Sequence, residues 1–143
     1  MIDNELMRAR ILVVEDDDTM RDFIVEVLGS VGFTNLTTAL DGTEAWRKFD
    51  QGERFDLVIC DWIMPGMDGL KFLKNIRDSR VAIPFILVTV RDSEDAIKRA
   101  VDRGVTAFLS KPFMPDQLVA EVLKVLSDSS VLEQSTNAEV WEF

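Results

Sequence analysis

Phe55 to Leu70 reads FDLVICDWIMPGMDGL, and the fold turns on how this stretch is read. Leu57, Val58, Ile59 and Cys60 form an unbroken apolar run that delivers one carboxylate, Asp61, at its end. Pro65, Gly66 and Gly69 then force the chain to turn. A short run of this kind, rich in β-branched residues, marks a strand buried on both faces of a parallel sheet. Open α/β sheets bind their ligands just beyond the C-terminal ends of such strands, where Asp61 stands. An aspartate that merely opens a loop would look the same in isolation.

Outward from this strand the chain alternates. Arg10 to Glu15 (RILVVE) is a second apolar run, leading into Asp16-Asp17-Asp18. Met20, Phe23, Ile24, Val27, Leu28 and Val31 then recur at helical spacing, with Asp18 as N-cap and Gly32 as stop. Phe33 to Ala39, with its threonines, reads as a weaker strand suited to a sheet edge. Asp41-Gly42 opens a second helix with Ala45, Trp46 and Phe49 on its inner face. Leu70, Phe72, Leu73 and Ile76 mark a third. Pro84 to Val90 is a strand, and Asp92-Ser93-Glu94-Asp95 starts a helix with Ala96, Ile97, Ala100 and Val101 inward. Val105 to Leu109 is the fifth strand. Pro115 begins a last helix carrying Leu118, Val119, Val122, Leu123, Val125 and Leu126.

Five strands alternating with five helices predict an α/β fold, a three-layer doubly wound five-stranded parallel sheet. The flavodoxin-like order 2-1-3-4-5 puts the weak second strand at an edge and strands one and three side by side. That choice rests partly on analogy with known folds. It would make Glu15, Asp16 and Asp61 neighbours.

Composition narrows the chemistry. The 143 residues carry a formal charge of −10 and no histidine. Ser-His and Cys-His nucleophile pairs are therefore excluded, along with nearly every zinc site. The acidic balance, with no Lys/Arg cluster to offset it, argues against direct nucleic-acid binding. No apolar run approaches the ~18 residues of a membrane helix, and the N-terminus lacks a signal-peptide pattern. The single cysteine, Cys60, reads as a reduced core thiol, and the chain as a cytoplasmic protein.

Three acids crowded into one crevice repel one another, so they must share protons or hold a cation. Carboxylates without histidine or thiolate suit a hard ion such as Mg²⁺. A solvated, capped loop is the plainer alternative. Lys111 ends strand five and Thr89 ends strand four, adding an ammonium and a hydroxyl to the same edge. Together these groups suit a phosphoryl group and a carboxylate nucleophile.

The motifs LVVEDD (Leu12–Asp17), DWIMPGMDG (Asp61–Gly69), VT (Val88–Thr89) and KPF (Lys111–Phe113) stand in that order. With them the chain resembles the receiver domain of bacterial two-component response regulators, close in layout to the single-domain, CheY-like chemotaxis type. The resemblance spans about residues 8–127, leaving 128–143 as a C-terminal extension without a domain of its own.

The resemblance implies a phosphorylation-activated signalling module rather than an enzyme. Asp61 would accept a phosphoryl group from a sensor histidine kinase or a phosphotransfer protein. Mg²⁺ would be held by Asp16, Asp61 and the Ile63 backbone carbonyl, with Glu15 acting through water. Lys111 would pair with the phosphoryl oxygens, Thr89 would move to hydrogen-bond one of them, and Phe108 would be the rotating switch aromatic. The Lys111-Pro112 bond would be cis. Output would be a target protein bound on the face of helix four, strand five and helix five, the last being apolar around more than one stripe.

Plainer readings stand beside these. Thr89 could serve strand propensity, Phe108 could be core, and Trp62 is expected to be half-exposed. Val90 departs from the small residue that receivers usually carry there; with Ile63 and Arg91 it is expected to narrow access to Asp61. The chain could also be the receiver half of a larger regulator. An aspartate-nucleophile phosphatase fits poorly, because Asp16-Asp17-Asp18 is out of register with that motif. A flavodoxin fits poorly because its phosphate would meet an acidic loop. In the extension, Val140, Trp141 and Phe143 form a small apolar end, and no output domain is expected within these 143 residues.

Overall fold

The computed structural model describes residues 5–134. After a single 3-10 turn, Leu6–Arg8, the elements are β1 (Arg10–Val14), α1 (Asp18–Ser30), β2 (Asn35–Ala39), α2 (Gly42–Asp50) and β3 (Leu57–Asp61). They continue as α3 (Gly69–Asp78), β4 (Phe85–Thr89), α4 (Glu94–Asp102), β5 (Ala107–Ser110) and α5 (Pro115–Gln134). The sheet order is β2-β1-β3-β4-β5, and every pairing is parallel. This is the expected doubly wound, flavodoxin-like arrangement.

The apolar runs make this sheet because alternate residues feed opposite core layers. Val58 and Cys60 point with Leu12, Val14, Phe85 and Leu87 toward α2, α3 and α4. Leu57 and Ile59 point with Ile11, Val13, Ile86 and Val88 toward α1 and α5. The central strands β3 and β4 are buried throughout, whereas β2 is largely exposed or half-buried, as an edge strand allows.

Several boundaries and faces differ from expectation. Asp17, not Asp18, is the N-cap of α1: it has extended backbone and accepts from Met20 N. Asp18 is instead the first helical residue and pairs with Arg21. On α4 only Ala96 and Ala100 are buried; Ile97 and Val101 face solvent. Two alanines let this helix lie close on the sheet, so its buried stripe is narrow. Leu123 packs against the α1–α5 core and is not free for a partner. Phe33 lies outside β2 yet is buried in that same core. α5 runs through Ser127 to Gln134, so the expected extension begins inside a helix. Val140, Trp141 and Phe143 lie outside the described residues. The Lys111-Pro112 peptide is cis.

One guanidinium closes the seam between α3 and α4. Arg77 donates from Nε and Nη2 to the Gly104 carbonyl at 3.1 and 2.9 Å, and from Nη1 to the Val81 carbonyl at 2.9 Å. Burial lowers its pKa, but an arginine stays charged. Charge-assisted bonds of this kind contribute more than neutral ones, so Arg77→Met is expected to cost about 1.5–3 kcal/mol. Urea unfolding at pH 7 checks this: the midpoint should fall with the slope unchanged.

Candidate functional site

Among the described residues, the buried polar or charged side chains are Glu15, Asp61 and Thr89, and all three stand at the C-terminal edge of the sheet. The topology puts them there. β1 and β3 pair directly, so Glu15, one residue past β1, comes beside Asp61 at the end of β3. Thr89 ends β4, and Lys111 follows β5. The Lys111 backbone N–H also donates to the Thr89 carbonyl at 2.9 Å.

Lys111 holds the centre. Its Nζ lies 3.0 Å from Glu15 Oε1 and 3.4 Å from Asp61 Oδ2. The remaining oxygens are also satisfied: Trp62 N–H donates to Asp61 Oδ1 at 2.8 Å, and Asp17 N–H donates to Glu15 Oε2 at 3.2 Å. Thr89 Oγ1 accepts from the Arg91 N–H at 3.2 Å. Arg21, which the motifs did not mark, donates from Nη1 to the Glu15 carbonyl at 2.9 Å. Its place one turn beyond the acidic loop was the available signal.

Burial and like charge shape the acids. Glu15 is pushed up from 4.5 to about 7, first by burial and then by Asp61, with Lys111 opposing. Asp61 is raised by burial, again against Lys111. Burial alone would lower Lys111, but its hydrogen bond to Glu15 and the fields of Asp61 and Glu15 raise it, so it stays an ammonium.

The sign follows from linkage. The folded Glu15 holds its proton to higher pH than the unfolded chain, so its contribution is complete below about 4.5. That contribution is lost as pH rises through about 7. With divalent cations chelated, wild type is expected to lose on the order of 1–3 kcal/mol relative to Glu15→Gln between pH 5 and 8. Urea unfolding of both proteins across that range checks it; parallel pH curves would contradict it.

Carboxylate oxygens of Glu15, Asp16 and Asp61 lie within 4.8 Å of one another, with Asp16 on the exposed side. An all-oxygen, anionic donor set with one solvent-facing member fits a hard divalent ion that keeps part of its water shell. Ile63 follows in the loop after β3, with its side chain about half exposed.

Trp62 corrects an expectation. It is only 1% exposed, because the alternation of β3 continues one residue beyond the strand and sends the ring into the α2–α3–α4 core. Arg91 and Arg99 lie over it, 5.6 and 5.4 Å from the ring centroid. The Arg91 side chain is therefore committed to Trp62, while Val90 beside it is 68% exposed. Phe108 on β5 is half-buried against the same core layer.

Gly69 explains why Asp61 sits so firmly. Its N–H donates to the Trp62 carbonyl at 2.8 Å, and a Cβ built on it would lie 2.1 Å from the Asp61 carbonyl oxygen. The first turn of α3, capped by Asp68, thus rests directly on the peptide that carries Asp61.

Similarity to known proteins extends over most of the chain. The family model of the response regulator receiver domain matches residues 11–123. Chemotaxis protein CheY1 of Helicobacter pylori is 38% identical over 119 residues, covering 82% of this chain and 95% of the relative. Chemotaxis protein CheY of Pseudomonas aeruginosa is 38% identical over 118 residues, covering 81% and 94%. The solved structure of Vibrio cholerae chemotaxis protein CheY4 superposes with a TM-score of 0.76 at 33% identity, covering 82% of this chain and 98% of that one. A parallel sheet in this order, acids at its switch point and a lysine between them meet a match over most of the chain: the protein belongs to the response regulator receiver domain family of two-component signalling.

Proposed function

We propose that this receiver accepts a phosphoryl group on Asp61 from a sensor histidine kinase's phosphohistidine or from a phosphotransfer protein, and signals by changing a protein-binding face. The observation that carries the reading is the Lys111 ammonium, 3.0 Å from Glu15 and 3.4 Å from Asp61. It neutralises an acceptor that burial would otherwise protonate.

Asp61 is the nucleophile. One of its carboxylate oxygens forms the new O–P bond as the N–P bond of the donor breaks, and the electron pair of that bond returns to the departing imidazole nitrogen. Trp62 N–H fixes Oδ1, so the carboxylate is oriented before the donor arrives. Lys111 keeps its charge throughout and turns it to the phosphoryl oxygens. Thr89 Oγ1 leaves the Arg91 N–H to donate to one of them, and Phe108 follows inward on β5. Asp16, Asp61 and the Ile63 carbonyl would hold Mg²⁺, with Glu15 acting through water, and the ion when bound would supply positive charge to offset that on the phosphoryl oxygens. The catalytic work is positioning and charge neutralisation within the receiver itself, so it promotes its own phosphorylation and dephosphorylation.

The output face is α4–β5–α5, where Ile97 and Val101 are exposed and Phe108 is half-buried. A downstream protein is the partner, with no direct contact to nucleic acid and no membrane insertion; among the described residues no helix is long and apolar enough to cross a membrane. We place the receiver in residues 8–127, with 128–143 an appended segment, and the whole in the cytoplasm. The test is labelling by acetyl phosphate followed by intact-mass measurement. One hydroxylamine-labile phosphoryl group should be gained with Mg²⁺ and none with chelator. Absence of labelling with Mg²⁺, or equal labelling without it, would overturn the reading.

A further inference from the structure

Trp62 is covered by two guanidiniums from different elements. Arg91 comes from the loop between β4 and α4, and Arg99 from within α4. At 5.6 and 5.4 Å from the ring centroid, both lie within the ~6 Å over which an aromatic face attracts a cation. Neither enters a salt bridge among the described residues. In a chain with 26 acidic side chains against 16 basic ones, two cations committed to one indole instead of to carboxylates are conspicuous.

Each member of this stack has a second tie. Trp62 N–H donates to Asp61 Oδ1 at 2.8 Å and also to the Val88 carbonyl at 3.3 Å. Arg91 N–H donates to Thr89 Oγ1 at 3.2 Å. The Arg99 carbonyl accepts from Arg103 N–H at 3.2 Å in the last turn of α4. Trp62 thus meets the acceptor carboxylate through its backbone, and through its ring two arginines, one tied by its own backbone to Thr89 and one carried by α4. It lies in the α3–α4 layer, and Phe108 reaches that layer separately, from β5.

We propose that Arg91 and Arg99 are positioning residues, and that their stack on Trp62 is a clasp transmitting the state of Asp61 to α4. The proposal rests on the reading of Asp61 as acceptor and Thr89 as the responding hydroxyl. When Thr89 Oγ1 turns to a phosphoryl group, the Arg91 N–H loses its acceptor and the Arg91 side chain loosens from the ring. Arg99 is then the one guanidinium left on the buried ring, and α4 resettles against it. Coupling of this kind is reciprocal, so a partner that fixes α4 also steadies the Trp62 N–H on Asp61.

Arg99→Met keeps the length of the side chain and removes the charge, Arg99→Lys keeps the charge and removes the plane, and Arg91→Met tests the other arm. Residue-resolved amide hydrogen exchange by NMR, first on the metal-free protein, should show the Trp62 N–H exchanging roughly fivefold faster in either Met variant and less so in Arg99→Lys. Amides of β1 should be unchanged, which separates the effect from global destabilisation. With acetyl phosphate and Mg²⁺, the Met variants should still be labelled, but the exchange change induced in residues 94–102 should shrink to less than about half that of wild type. An unaltered Trp62 amide in both Met variants overturns the clasp, as does a full α4 response. Failure of wild type to be labelled would instead remove the proposed function, while the metal-free exchange would still report on the stack.

Discussion

Asparagine in place of Asp61 will abolish covalent phosphoryl acceptance and, in the metal-free chain, raise stability. A neutral amide offers phosphorus no anionic oxygen, so labelling by acetyl phosphate should fall below detection in an intact-mass measurement. The second effect has a different origin. Asp61 and Glu15 are buried together and share one ammonium, and Asp61 helps to push the Glu15 carboxyl up to about 7. Removing one of two crowded acids leaves Glu15 and Lys111 as a balanced pair. At pH 8 with chelator, urea unfolding should show a gain on the order of 1 kcal/mol. Labelling of the variant would place the acceptor elsewhere. A loss of stability would mean that the Asp61–Lys111 attraction outweighs the Asp61–Glu15 repulsion.

Alanine in place of Gly69 should be among the most damaging small substitutions in the fold. The added carbon would stand 2.1 Å from the Asp61 carbonyl oxygen and 3.0 Å from the Asp61 carbonyl carbon and Trp62 Cα. All three are backbone atoms and cannot rotate away, so α3 must lift from the end of β3. The expected cost is about 3 kcal/mol or more, at the upper end for overpacking. It should be accompanied by slower acetyl-phosphate labelling, because the peptide that moves is the one whose N–H fixes Asp61 Oδ1. Gly29→Ala is the matched control. Gly29 lies inside α1 with nothing within 4 Å of its would-be Cβ, so alanine there should add about 0.5–1 kcal/mol. Thermal or urea unfolding of the two variants should move in opposite directions.

The central strands were legible because burial on both faces leaves an unbroken apolar run, and the pairing of β1 with β3 then brought Glu15 to Asp61. What escaped were contacts that depend on where a strand's alternation ends. Trp62 follows the same parity as Cys60, and continuing that parity one residue would have buried it. Arg91 and Arg99 belong to the same omission, since nothing in their local sequence points at an indole 29 and 37 residues earlier. On α4, helical spacing marks Ala96, Ile97, Ala100 and Val101 alike. Only packing against a sheet edge that is itself half covered decides that the alanines go in and the larger residues stay out. The raised Glu15 carboxyl was not legible at all, because it arises from three-dimensional burial and from a lysine 96 positions away.

That carboxyl also makes the site a proton source. Burial and Asp61 push the Glu15 carboxyl up to about 7, so near neutrality it keeps part of its proton, whereas a cation in the cluster favours the bare carboxylate. Filling the cluster near pH 7 should therefore release a fraction of a proton per chain, falling toward none well above that pH. In a calorimeter the heat of titration with Mg²⁺ will then depend on the ionisation enthalpy of the buffer. The slope of heat against that enthalpy counts the protons. At pH 7 the Glu15→Gln chain, with no proton to give at this position, should show a flatter line.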